Sequence, residues 1–190
     1  MDGQAAGDRV KARLRKTVVL VGMMGAGKTA VGTSLARALG VPFLDSDEEI
    51  EKAANRSVAE IFARDGEPFF RAKESQVIQR LLTGRPCVLS TGGGAFVSAE
   101  NRAAIAERGV AVWLRADLDT LWNRVRHKST RPLLRTPDPK GTLAALLAAR
   151  EPVYGQAQIT VDSKAEGSID EMTARVIDAL NAQPGLIDRT

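Results

Sequence analysis

The chain has 190 residues, 44% hydrophobic and 26% charged, which is the size of one domain and the composition of an ordinary water-soluble fold. No apolar run is long enough to span a bilayer, which excludes a helical integral membrane protein. A single cysteine, Cys87, excludes an internal disulfide, and a single histidine, His127, leaves no His/Cys cluster for structural zinc.

The formal charge of +4 is uneven. Residues 1–16 carry Arg9, Lys11, Arg13, Arg15 and Lys16 against Asp2 and Asp8. This segment reads as a flexible, solubilising basic tail, since short polar termini are usually solvated and no apolar stretch follows to make it a secretory signal. With no leader and no disulfide, the expected location is the cytoplasm.

Thr17–Val21 is an unbroken β-branched and apolar run, the pattern of a strand buried on both faces of a parallel sheet. Val31, Leu35 and Leu39 then mark one face of a helix from Lys28 to Leu39, ended by Gly40. Val41–Leu44 reads as a second strand, followed by an acidic first helical turn. Ser57-Val58-Ala59-Glu60 is a capping box opening another helix, and a longer helix is predicted from Pro68 to Thr83. Val88–Ser90 and Val110–Leu114 are the third and fourth strands, separated by a helix over 98–108. Asp117 caps a helix reaching His127. Residues 128–140, with three prolines and no helical period, read as a loop. A helix from Leu143 to Tyr154, a strand at 159–161 and a helix opened by the Ser168–Glu171 capping box complete the domain, and 183–190 should fray. Cys87 is expected to be a small buried hydrophobe and His127 to lie on the surface. Alternating strands and helices imply an α/β fold whose parallel sheet is covered on both faces.

Gly22-Met23-Met24-Gly25-Ala26-Gly27-Lys28-Thr29 matches G-x-x-x-x-G-K-[ST] between a predicted strand and a predicted helix. In such a loop the backbone N–H groups of Gly25, Ala26, Gly27 and the first helical residues through Ala30 surround phosphate oxygens. Lys28 reaches the terminal phosphates and Thr29 can ligate magnesium. The absence of a guanine-reading N-K-x-D segment argues against a GTPase. Asp45 and Asp47 follow the second strand at the carboxyl edge of the sheet, where ligands bind in open α/β folds. Two apart in an extended segment, they should point the same way, one toward magnesium and one toward an acceptor hydroxyl. Arg71, near the start of a helix, and Gly92-Gly93-Gly94, after the third strand, suit an acidic acceptor lying on bare backbone. Taken alone, Arg71 could equally be a surface ion pair with Glu67 or Glu74.

In order, GMMGAGKT (22–29), DSD (45–47), FFR (69–71), STGGG (90–94), RPLL (131–134) and REPVY (150–154) resemble the shikimate kinase family over nearly the whole chain from Thr17. The resemblance implies a three-layer P-loop kinase fold with a five-stranded parallel sheet of order 2-3-1-4-5. It implies ATP and Mg2+ as cofactors, shikimate as the small-molecule partner, and a monomer engaging neither nucleic acid nor membrane. Asp47, Arg71, Gly92, Gly93, Gly94 and Arg150 would bind shikimate, the two arginines pairing its carboxylate. Asp45 would help hold magnesium through water, and Asp47 would act as base at the 3-hydroxyl. Arg124 would stack on adenine. Arg131 would swing onto the transferring phosphates from a lid at 128–140. Two rivals are a gluconate kinase of the same architecture and a nucleotide-sensing nucleic-acid module built on the basic tail. The chain departs from the family pattern in its longer tail, in Pro68-Phe69, and in the extra lid cations Arg126, Lys128 and Arg135.

Overall fold

The computed structural model describes residues 12–128 and 132–189. Among the described residues seven strands form two sheets. The main sheet is parallel, built from β2 (Thr17–Val21), β3 (Phe43–Asp45), β4 (Val88–Ser90), β5 (Gly109–Arg115) and β6 (Ile159–Asp162), in the order β3-β4-β2-β5-β6. Numbering those five strands along the chain gives 2-3-1-4-5, the expected order.

The central position of β2 explains its composition. Successive side chains of a strand point to opposite faces, yet Val18, Val19 and Leu20 are all 0% exposed, so both faces are covered. The helices that cover the sheet and extend its ligand edge are α1 (Lys28–Leu39), α2 (Ser46–Ala54), α3 (Val58–Asp65), α4 (Glu67–Leu82), α5 (Ala99–Arg108), α6 (Leu118–Val125), α7 (Pro139–Tyr154) and α8 (Ile169–Asn181). Both predicted capping boxes are formed, at Ser57/Glu60 and Ser168/Glu171. No helix among the described residues is long and apolar enough to cross a membrane.

The apolar residues fall into two clusters. The larger surrounds the sheet. The smaller, Ile50, Ile61, Phe70 and Val77, lies between α2, α3 and α4, with the Phe62 ring stacked at 4.6 Å on Phe70. This satellite core fixes the start of α4, and hence Arg71, relative to the end of β3.

Three expectations are corrected. Of the flexible tail expected at 1–16, residues 1–11 lie outside the described residues, but Ala12–Leu14 forms β1, which pairs antiparallel with β7 (Ile187–Arg189) within the segment expected to fray. Leu14 and Leu186, at 4% and 3% exposure, enter the main core and anchor the pair, and Arg15 adds an ion pair to Asp188. The helix expected from Leu143 begins at Pro139, because Asp138 caps it by accepting from the Gly141 N–H and proline suits its first turn. The predicted lid at 128–140 therefore gives up its last two residues to α7, and a short 3-10 turn occupies Pro132–Leu134. Cys87 is buried and His127 exposed, as expected.

Removing residues 186–190 should lower the unfolding free energy by about 2–3 kcal/mol, read from urea denaturation, since Leu186 is lost and Leu14 uncovered. The turnover number should stay unchanged. A truncated chain with full stability would show that the small sheet holds nothing.

Candidate active site

The loop between β2 and α1 takes its shape from three glycines with positive φ: Gly22 (142°), Gly25 (81°) and Gly27 (94°). A side chain is also barred sterically, for a Cβ on Gly25 would lie 2.7 Å from Val125 Cγ1. Gly27 is the N-cap of α1 and supplies no side-chain hydrogen bond, so the helix presents its first N–H groups to whatever fills the loop. Lys28 Nζ donates to the carbonyls of Gly22 at 2.6 Å and Met23 at 3.0 Å, which curls the ammonium back over the loop.

A cleft of about 470 Å3 opens there. Gly25, Gly27, Lys28, Thr29 and Ala30 line one side, and Asp45, Asp47, Gly92 and Gly93 the other. Ala26 is 1% exposed and packs beneath the loop. Arg124 reaches the cleft from α6, but its guanidinium is engaged. It donates to Gly25 O at 3.1 Å, to Ser163 Oγ at 3.1 and 3.2 Å, and to Lys164 O at 3.3 Å. It thereby ties the phosphate loop to the segment after β6. Met24 and Lys128 also line the cleft. Arg131 lies outside the described residues.

Asp45 and Asp47 reach the same cleft by a different geometry from the extended segment expected. The strand stops at Asp45, and α2 starts at Ser46. Asp45 is the N-cap, its Oδ1 accepting from Asp47 N at 2.9 Å and Glu48 N at 3.2 Å. Asp47 is thus a first-turn helical residue, aimed by the cap. Its Oδ1 is buried without a hydrogen-bond partner. Burial, then the neighbouring Asp45 charge, raises its pKa above the ordinary carboxylate range, opposed by Lys28 and Arg71.

The triple glycine joins this carboxylate to both arginines. Ser46 Oγ accepts from Gly92 N at 3.3 Å, tying the start of α2 to the loop after β4. A Cβ added to Gly92 would lie 3.2 Å from Asp47 Oδ1, one on Gly93 2.9 Å from Arg150 Nη1, and one on Gly94 2.7 Å from Arg71 Nη1. A side chain at any of the three would push against these polar tips, and the three residues expected to hold the acceptor meet at one wall. Lys28 faces Asp47 closely enough to perturb its ionisation, so the phosphate loop and this wall form one site.

Sequence reasoning passed over Glu74 as a functional group. It is 1% exposed. Oε1 accepts from Arg71 Nη1 at 2.9 Å, while Oε2 is buried without a partner. Burial raises its pKa, and Arg71 opposes the shift. Both ion pairs considered for Arg71 exist, with Glu67 on the exposed side, and Glu74 fixes the guanidinium from behind. The signal was available: Phe70, Glu74, Val77 and Ile78 share the buried stripe of α4, and a charge on such a stripe needs a reason. Ser46 and Ser163 gave no comparable warning, whereas Tyr154, whose hydroxyl donates to Gly93 O, stands in the REPVY segment.

A family model described as shikimate kinase matches residues 24–181. A shikimate kinase of Cereibacter sphaeroides is 68% identical over 182 residues, covering 96% of this chain and 91% of that protein. One from Ruegeria pomeroyi is 64% identical over 177 residues, covering 93% and 91%. Among solved structures, a shikimate kinase from Acinetobacter baumannii in complex with shikimate superposes with a TM-score of 0.84 at 36% identity, covering 90% of this chain and 95% of that one. With matches of this extent and a phosphate loop, paired aspartates and glycine wall meeting at one cleft, the chain belongs to the shikimate kinase family.

Proposed function

We infer that the protein transfers the γ-phosphoryl group of ATP to the 3-hydroxyl of shikimate, giving shikimate 3-phosphate and ADP. The observation that carries this reading is the wall at Gly92–Gly94, where one buried carboxylate oxygen and two guanidinium groups converge beside the phosphate loop.

The chemistry follows from the charges. Arg71 and Arg150 offer paired donors to a carboxylate. With that end of the ring acid fixed, a hydroxyl can take up the unpartnered Asp47 Oδ1. Asp47 orients the hydroxyl and accepts its proton as the new O–P bond forms and the bond to the β-phosphate bridging oxygen breaks. A base whose pKa lies above the usual carboxylate range holds that proton better than an exposed aspartate would. Lys28 and the N–H groups of Gly25, Gly27, Thr29 and Ala30 neutralise the transferring phosphates. Arg124 holds the loop at Gly25 and borders the adenine end. Arg131, carried by the lid segment, is the remaining cation assigned to the transferring group.

The donor set also suits magnesium. Among the described residues no group of three His, Cys, Asp or Glu side chains could hold a metal, but Thr29, Asp45 and Asp47 line one cleft. A hydroxyl and two carboxylates match an ion that keeps water and takes substrate phosphates. Thr29 and Asp45 would hold Mg2+, which would offset phosphate charge when bound. The same reading takes the protein as a monomer working in the cytoplasm without nucleic acid.

ATP turnover with shikimate as the sole acceptor tests the reading. ADP release should require shikimate, fall by at least about 100-fold on chelation with EDTA, and return with Mg2+. Gluconate should give no turnover; a preference for gluconate would replace this assignment with its rival.

A further inference from the structure

The wall at Gly92–Gly94 offers backbone to the acceptor, so its shape depends on what holds its carbonyls and those just beyond. Three side chains do so. Tyr154 Oη donates to Gly93 O at 2.5 Å, and Asn101 Nδ2 donates to Ala95 O at 2.9 Å. Arg102 Nη1 donates to Phe96 O at 2.8 Å and Val97 O at 2.7 Å. Asn101 and Arg102 anchor the far end, the 3-10 turn Ala95–Val97.

Tyr154 stands at the glycines themselves, beside Arg150. It is 0% exposed, with its ring 5.9 Å from that of Trp113. Its oxygen is 3.9 Å from Met23 Sδ in the phosphate loop, and it sits one turn beyond Arg150 on α7. Burial raises the phenol pKa, so the group is a donor throughout the neutral range.

A peptide between two glycines has no Cβ to restrain it and can rotate at little cost. In a trans peptide the C=O and the following N–H point to opposite sides, and the chain has no cis bonds among the described residues. A carbonyl of Gly93 held on Tyr154 therefore turns the Gly94 N–H away from α7. Gly94 lies against Arg71, and among the described residues its N–H has no acceptor in the protein.

We propose that Tyr154 is a positioning residue for the acceptor: its hydroxyl locks the Gly93–Gly94 peptide so that the Gly94 N–H faces the carboxylate gripped by Arg71 and Arg150. The proposal rests on the assignment of the glycine wall to shikimate. It gives a role to the tyrosine of the REPVY segment, whose hydroxyl also interacts with the arginine of that segment, Arg150.

The test is Tyr154→Phe, which keeps the ring and removes the donor. The shikimate KM should rise about 10-fold, the effect of one well-placed hydrogen bond, with kcat and the ATP KM within about twofold. Equal rises in both KM values, or no change in either, would overturn the role. A wild-type protein inactive on shikimate would instead overturn the functional reading beneath it. Should the variant fail to fold, the chain's single tyrosine permits biosynthetic replacement by fluorotyrosine, whose phenol ionises at lower pH. The shikimate KM of the labelled protein should climb with pH while that of the unlabelled protein stays level. Two level profiles would refute the proposal.

Discussion

Replacing Asp47 with Asn should nearly abolish turnover, by about 100- to 10,000-fold in kcat, while making the protein more stable at neutral pH. Both effects have one source. Burial, then Asp45, lifts the Asp47 pKa in the folded chain, with Lys28 and Arg71 opposing. A carboxyl with a raised folded pKa binds its proton more tightly folded than unfolded. The stability it contributes is complete below the unfolded value of about 3.9 and is lost as pH rises through the folded value. Above the folded value the wild type carries an unfavourable charge at Asp47 that the amide avoids. The gain in thermal midpoint should be largest near neutrality and vanish in acid. Wild-type kcat/KM should fall on the acid side with an apparent pKa above the ordinary aspartate range. A variant that is both inactive and less stable at neutral pH would remove Asp47 from this role.

Replacing Arg71 with Ala should raise the shikimate KM about 100-fold and leave the ATP KM within about twofold. That size corresponds to one or two charge-assisted hydrogen bonds, each worth roughly 1.5–3 kcal/mol. Equal losses for both substrates would indicate a collapsed site. The substitution has a second consequence. Arg71 holds down the pKa of Glu74, which burial pushes up, and its Nη1 donates to Glu74 Oε1. Without it the folded-state pKa of Glu74 rises further, so the stability lost should grow as pH increases through that range. Arg71→Lys should restore much of the stability but little of the shikimate affinity, because a single ammonium cannot make the paired contact.

Much of this site was legible from the chain because its parts are local. A strand, a glycine loop and a helix follow one another without a break from Thr17 to Leu39, each with its own pattern. The order of the five strands followed from the family resemblance. The aspartates were located correctly but given the wrong local geometry, because Asp45 both ends a strand and caps a helix, and an alternation rule cannot show where the strand stops. Glu74 was hidden by its chemistry: an i,i+3 pair with Arg71 reads as an exposed ion pair unless the buried stripe of α4 is traced through it. The small terminal sheet was illegible for another reason. Strands of three residues carry almost no periodic signal, and their pairing joins the two ends of the chain, so only tertiary packing through Leu14 and Leu186 reveals it.

The satellite cluster of Ile50, Ile61, Phe70 and Val77 has a mechanical consequence. Because α2, α3 and α4 share apolar packing of their own, while Ile78 and Leu82 root α4 in the main core, the trio stands as one stiff bracket beside the sheet. Asp47 and Arg71 ride on it, whereas Lys28, the glycine wall and Arg150 belong to the main body. Proton acceptor and anion clamp are therefore spaced by the same four apolar side chains, so trimming any of them should disturb both at once.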